Sequence, residues 1–256
     1  MSAASLSPTV PEMNQQSGLS EPQRIVNVFV APSKTFADIK RNASWWVPWL
    51  ILSLCGIGFT VLLDKKIGYD QISENQIKLS PKAQERMEQL PPEQQQQRIH
   101  ASANFFKYVF GYGAPVVGLL FLVIIAAVLM GTFNFGVGTE VTFKQALAIT
   151  SYALLIRLVH VVLLSGAVLA NSDPTTFNIS NPVATNPAFF MSITDTPRFL
   201  YSVLANIDVI TIWIYVVLGI GFAIVGKRKV STCIGVVAGW WLLLTLGGAA
   251  LGAAFS

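Results

Sequence analysis

The amino-acid sequence predicts an all-α integral membrane protein, with five transmembrane helices behind a short N-terminal interfacial helix. Three observations predict this class. Of the 256 residues 53% are hydrophobic and only 12% are charged, well below the charge density of soluble domains. Mean hydropathy is +0.56. Five apolar runs come near the length of about 20 residues that a helix needs to cross a bilayer.

The elements follow in chain order. Residues 1–20, "MSAASLSPTVPEMNQQSGLS", have neither a basic start nor an apolar core. They read as a disordered tail rather than a cleaved leader. Residues 21–43 read as a cytoplasmic amphipathic segment. Ser33 is placed to start a short helix with Phe36 and Ile39 on one face and Lys34, Asp38 and Arg41 on the other. Such a helix lies in the membrane interface, with Phe29 and Phe36 as anchors, or packs against the ends of the spans.

A membrane domain is expected over residues 44–255, with spans at about 45–63, 109–133, 145–170, 200–225 and 230–255. Trp45, Trp46 and Trp49 open the first span, where an aromatic ring with one polar edge suits the headgroup boundary. Residues 64–107 form a polar helical insert. Within it Ser80-Pro81 marks one helix start, and "PPEQQQQRIHASANFFK" reads as a helix running into the second span. Gly111, Gly113 and Pro115 are placed to interrupt that span. Residues 171–199, rich in Asn, Pro and Thr, read as an irregular loop, and Thr196-Pro197 as the start of the fourth helix.

The short link Lys227-Arg228-Lys229 makes the last two spans a hairpin and belongs in the cytoplasm by the positive-inside rule. An odd number of spans then puts the N-terminus in the cytoplasm and the C-terminus outside, in a membrane expected to be the bacterial inner one. The 64–107 insert, with seven Lys and Arg, runs against that rule by lying outside.

The third span, "SYALLIRLVHVVLLSGAVLA", carries Arg157 and His160 three residues apart and so on one face. A central arginine costs about 2.5 to 3.5 kcal/mol, and the surrounding Leu, Ile and Val offset it at about 0.3 to 0.6 each. In a fourth helix starting near Pro197, Asp208 lies roughly 16 Å along the axis, and His160 lies roughly 15 Å from the outer end of its own span. Matching depth predicts an intramembrane polar cluster of Asp208 with His160 or Arg157. Three roles remain open for it: an ion pair that sets helix faces, a proton or anion path, or a site for a ligand or lipid headgroup at Arg157.

In the fifth span Gly235 and Gly239, then Gly248 and Gly252, are each four apart, a spacing that permits close helix packing within the chain or in a homo-oligomer. Cys55 and Cys233 read as small buried apolar side chains, with neither disulfide nor metal spacing. There is no Walker loop, HExxH, GxSxG, CxxC or dinucleotide fingerprint, so no enzyme, cofactor or metal is expected. The net charge of +4 is not interleaved with aromatics as a nucleic-acid groove requires, which leaves the lipid bilayer and proteins as partners.

The stretch "VFVAPSKTFADIKRNASWWVPWL" resembles the start of bacterial relatives of the Ypt-interacting-protein (YIP) family, through Phe29, Pro32, Phe36, Trp46 and Pro48. "GVGTEVTFKQALAITSYALL" is similar to the family's short loop and following helix with a Ser-Tyr or Gly-Tyr pair, here Ser151 and Tyr152. The likeness covers roughly residues 25–255. After that tyrosine, where many members have a proline, this chain has Ile156 and Arg157. The Asp-Leu-Tyr-Gly-Pro element of eukaryotic members is absent, so their association with Rab-type GTPases is not carried over. The resemblance implies a non-catalytic membrane scaffold that binds an unidentified membrane or cytoplasmic partner. The alternative is a small transporter or channel using Arg157, His160 and Asp208.

Overall fold

A computed structural model of the chain describes residues 18–255, so most of the expected tail lies outside the described residues. Among the described residues every regular element is helical. The first helix, α1 (Glu21–Val30), opens on a capping box. The Gln23 amide donates to Ser20 Oγ at 3.4 Å, and the Ser20 amide donates to Gln23 Oε1 at 2.9 Å. Two otherwise orphaned helix-start donors are thereby satisfied. Ala31 breaks the helix, and Pro32, which suits a first helical position, starts α2 (Pro32–Ile39). The amphipathic segment is therefore two helices, where the sequence reading expected one.

The first span is α3 (Trp46–Lys66). Gly68, at φ 85°, turns the chain sharply into the insert, a conformation that glycine adopts without steric cost. The insert comprises α4 (Tyr69–Lys78), α5 (Pro81–Glu88) and α6 (Pro92–Phe105). Beyond α6 the helix widens to a π-helical segment over Phe106–Tyr112 and is interrupted at Gly113 before α7 (Ala114–Gly131). A side chain at Gly113 would lie 2.5 Å from the carbonyl oxygen of Val109, so the backbone closes in only because none is there.

The third span consists of α8 (Phe143–Leu154) and α9 (Arg157–Ala170), with a tightened turn between them. After α10 (Arg198–Asn206) come α11 (Val209–Gly226) and α12 (Val230–Phe255). The stretches long and apolar enough to cross a membrane are Trp46–Lys66, Ala114–Val137, Phe143–Ala170, Val209–Gly226 and Val230–Ala254. The chain is an integral membrane protein by that criterion.

The fourth span differs from its expected extent of 200–225. It starts only at Val209, because α10 ends at Asn206 and Asp208 caps a new helix. Asn and Asp compete with helical backbone bonds and favour such boundaries. At the other end Lys227 takes the left-handed conformation, and the amides of Lys227 and Arg228 both donate to the Ala223 carbonyl. That closure makes the tight hairpin between α11 and α12.

The core forms around α8. All of Ala146 to Ala153 is buried, between α2, α7 and α11. Phe133 stacks on Phe222 with ring centres 4.3 Å apart. Close helix approach is provided by Gly219 and Gly221. A Cβ at Gly219 would sit 2.7 Å from Ile234 Cα, and one at Gly221 would sit 2.5 Å from Ile149 Cγ2.

Packing within the chain does not use the fifth-span glycines. A Cβ at Gly235, Gly239, Gly248 or Gly252 would meet nothing within 4 Å. Those four positions are exposed on α12, whereas α11 supplies Gly219 at the α11–α12 contact. Cys233 is buried, but Cys55 is exposed, which corrects the expectation that both are buried.

A smaller core of Leu63, Ile67, Ile72, Val168 and Phe177 ties the insert to the loop after α9. Asn75 Nδ2 donates to the carbonyls of Pro174 and Phe177 at 2.8 and 3.0 Å. The loop is irregular yet anchored by its backbone.

Candidate functional site

Among the described residues two arginines mark contrasting polar sites. Arg24 lies on α1 and is 1% exposed. Its Nε donates to Asp38 Oδ2 at 2.6 Å, and its guanidinium also pairs with Glu21 Oε1 at 3.2 Å. Asp38 in turn accepts from Arg41 at 3.1 Å and from the Leu19 amide at 3.3 Å. Burial works to lower the Arg24 pKa, but its contacts with Tyr152 and Asp38 outweigh burial and carry it above the ordinary guanidinium value. For Asp38 burial acts to raise the pKa, and hydrogen bonds from Arg24 and Arg41 outweigh it, holding the carboxyl below its usual range.

This cluster docks α1 and α2 onto the membrane domain. The Tyr152 hydroxyl on α8 donates to Glu21 Oε2, and Thr35 Oγ1 donates to the Arg24 carbonyl at 2.9 Å. Phe36 is fully buried against Ile149 and Gly221. It is a core residue and not the interfacial anchor expected of it. Phe29 is only partly buried and packs against the same core.

The tryptophans sit as a group at the start of α3. The rings of Trp45 and Trp49 lie 6.4 Å apart, and Trp46 is exposed. Ser151 Oγ donates to the Trp45 carbonyl at 2.7 Å, which puts α8 and the start of α3 at one level. Trp49 Nε1 donates to the Pro115 carbonyl at 3.0 Å.

Arg157 opens α9 and is exposed, while His160 is half-buried. Both line a cavity of about 690 Å³ between α3, α7 and α9, together with Trp49, Ser53, Gly118 and Phe121. Asp208 does not join them. It is 3% exposed, its Oδ1 accepts the Thr211 amide at 2.8 Å, and its Oδ2 is buried without a hydrogen-bond partner among the described residues. The expected Asp208–His160 or Asp208–Arg157 pair is thus replaced by a helix cap. Matching depth with His160 requires Asp208 to lie within one long fourth helix, and the break at Ile207 removes that register.

The turn before Arg157 leaves little backbone free. The amides of Leu155, Ile156, Leu158 and Val159 each bond to the carbonyl three residues back, at 2.9 to 3.3 Å. The span tightens there and does not unwind.

The Yip1 domain, as a family model, matches residues 26–251. The chain belongs to the Yip1 family. No curated protein and no solved structure matches it. Within this Yip1 domain, Phe29, Pro32 and Phe36, which carried the resemblance, belong to the docked helical pair, and Ser151 and Tyr152 are the residues of α8 that meet the start of α3 and the docked pair.

Sequence reasoning missed Arg24, Glu21 and Tyr152 as one unit. The local signal was present in Ser20 and Gln23, whose spacing is a capping box. The contact between Glu21 and Tyr152, 131 positions apart, had no local signal.

Proposed function

We propose that this Yip1-family membrane protein is a non-catalytic scaffold whose docked pair α1–α2 is a preformed platform for a soluble partner protein. The supporting observation is the buried Arg24 cluster, which holds the pair against Tyr152 and leaves the opposite side of α1 free. Val26 and Val30, four apart and on one helical face, are 61% and 75% exposed there. An ordered apolar face loses little conformational freedom on binding, so a partner gains affinity from it.

The proposal places the platform in the cytoplasm. The Lys227-Arg228-Lys229 link is basic, and the Arg228 guanidinium donates to the Gly138 carbonyl, so both short connections lie on one side of the domain. The membrane in this reading is the bacterial inner membrane, with the C-terminus outside.

A small transporter or channel is the second reading, favoured by the cavity beside Arg157 and His160. The bonded turn at Leu155-Ile156 weighs against it, since transporters expose unwound backbone at their sites.

The test inserts a photo-crosslinking residue at Val30 in the full chain within its native membrane. A discrete crosslinked protein, lost when Val26 is replaced by Ser, supports the platform. Crosslinks to lipid alone, with ion or solute flux into liposomes that depends on Arg157, would replace it with the transporter reading.

A further inference from the structure

Arg157 makes no ion pair or hydrogen bond among the described residues. Its cavity of about 690 Å³ is lined by apolar groups, Ser53, Ser151, His160 and Arg157 itself, and no carboxylate lines it. A permanent cation inside a membrane domain faces protein, water or an anion rather than hydrocarbon. Here the protein supplies no anion, so its counter-charge is to be sought in what fills the cavity.

The level of the cavity says what that is. Ser151 bonds to the Trp45 carbonyl, at the end of α3 that holds Trp45, Trp46 and Trp49. Such aromatic groups sit at headgroup level. Arg157 follows Ser151 by six residues, roughly 9 Å of helix rise. Helical side chains lean toward the N-terminus of their helix, and long basic ones extend toward the interface, so Arg157 leans back toward the tryptophans. At that same level, just past the Pro115 carbonyl that Trp49 bonds, Val117, Gly118 and Phe121 of α7 form an apolar wall.

We propose that this cavity holds an anionic phospholipid, its phosphate at Arg157 with His160 beside it and one acyl chain along the α7 wall. A zwitterionic lipid fits less well, because its ammonium group would find no carboxylate in the cavity. The site stands on the geometry of α3, α7 and α9 and is independent of the platform on α1.

The experiment is native mass spectrometry of the full chain in mild non-ionic detergent. Phosphatidylglycerol and phosphatidylcholine of identical acyl chains are supplied in parallel, and soluble glycerol phosphate in a third sample. The intact protein is expected to retain phosphatidylglycerol about fivefold better than phosphatidylcholine, the size of one basic contact with an anionic headgroup. Arg157→Gln should abolish that preference. Gly118→Leu keeps both charges but fills the wall and should lower retention of both lipids. Space exists for it, since a Cβ at Gly118 meets nothing within 4 Å. Equal retention of the two lipids by the intact chain overturns the proposal, as does a preference that survives in both variants. Glycerol phosphate that displaces the lipid also overturns it, because the ligand is then a soluble phosphate ester. Should Arg157→Gln fail to fold, Arg157→Lys takes its place, with a reduced preference expected, and Gly118→Leu decides the location.

Discussion

Arg24 and Arg157 are the same side chain in two opposite settings. Arg24, in a polar N-terminal stretch, is buried and matched by Asp38 and Glu21. Arg157, in the middle of an apolar span, is exposed and has no carboxylate partner among the described residues. The contrast teaches that hydropathy does not locate the buried charges of this protein. The Arg24 cluster is where tertiary structure encloses ions, and the Arg157 groove is where it leaves one open.

The largest test of that difference is removal of each cation. Arg24→Met leaves Asp38 buried beside a missing partner, and loss of one member of such a pair costs about 3 kcal/mol or more. Arg157→Met removes a charge that the described chain does not match and should cost less than about 1 kcal/mol. Unfolding midpoints in detergent compare the two. Equal losses would show that Arg157 has a structural partner after all.

A second test sets the packing of the docked region against that of α12. Gly221→Ala forces a methyl group to 2.5 Å from Ile149 Cγ2, an overpacking worth about 1 to 3 kcal/mol. Gly235→Ala meets nothing within 4 Å and should be neutral or gain up to about 1 kcal/mol of helix propensity. A comparable loss at Gly235 in the membrane, but not in detergent, would reveal an α12 contact with a second copy.

The third test is pH. The folded pKa of Asp38 is lowered from 3.8, so its contribution is fully present above that value and is lost as pH falls through the folded pKa. The protection factors of the α1 and α2 amides against hydrogen exchange should therefore be flat at neutral pH and fall in acid. An onset near pH 6 would mean that another group controls the docking.

The smallest effect is expected at Asp208. Asp208→Ala removes the bond to Thr211 and should cost about 1 kcal/mol, whereas Asp208→Asn keeps a capping side chain and should cost a few tenths. A loss in Asp208→Asn well beyond that would restore the pairing that the helix break replaces.

Each fold element visible in the sequence was encoded within a few turns of chain. The five apolar stretches, the Ser80-Pro81 start and the basic hairpin link are local patterns, and a bilayer or a turn acts on them locally. The interruption near Gly113 was likewise legible from Gly111, Gly113 and Pro115. The site was less so. Arg157 and His160 were marked by their surroundings, but their relation to Asp208 depended on whether Asn206 to Asp208 continue or end a helix. That choice turns on cap bonds and on the Val209 amide donating to Thr185, 24 positions earlier, at 3.0 Å.

By itself the amino-acid sequence determined the membrane class, the number of spans and the family resemblance, because hydropathy and length decide what a bilayer accepts. Only the tertiary structure decided which cation is enclosed, that Phe36 is core and that α11 rather than α12 supplies the close-packing glycines. Those outcomes depend on which surfaces meet, and contacts such as Glu21 with Tyr152 join residues too distant in the chain for any local pattern to specify.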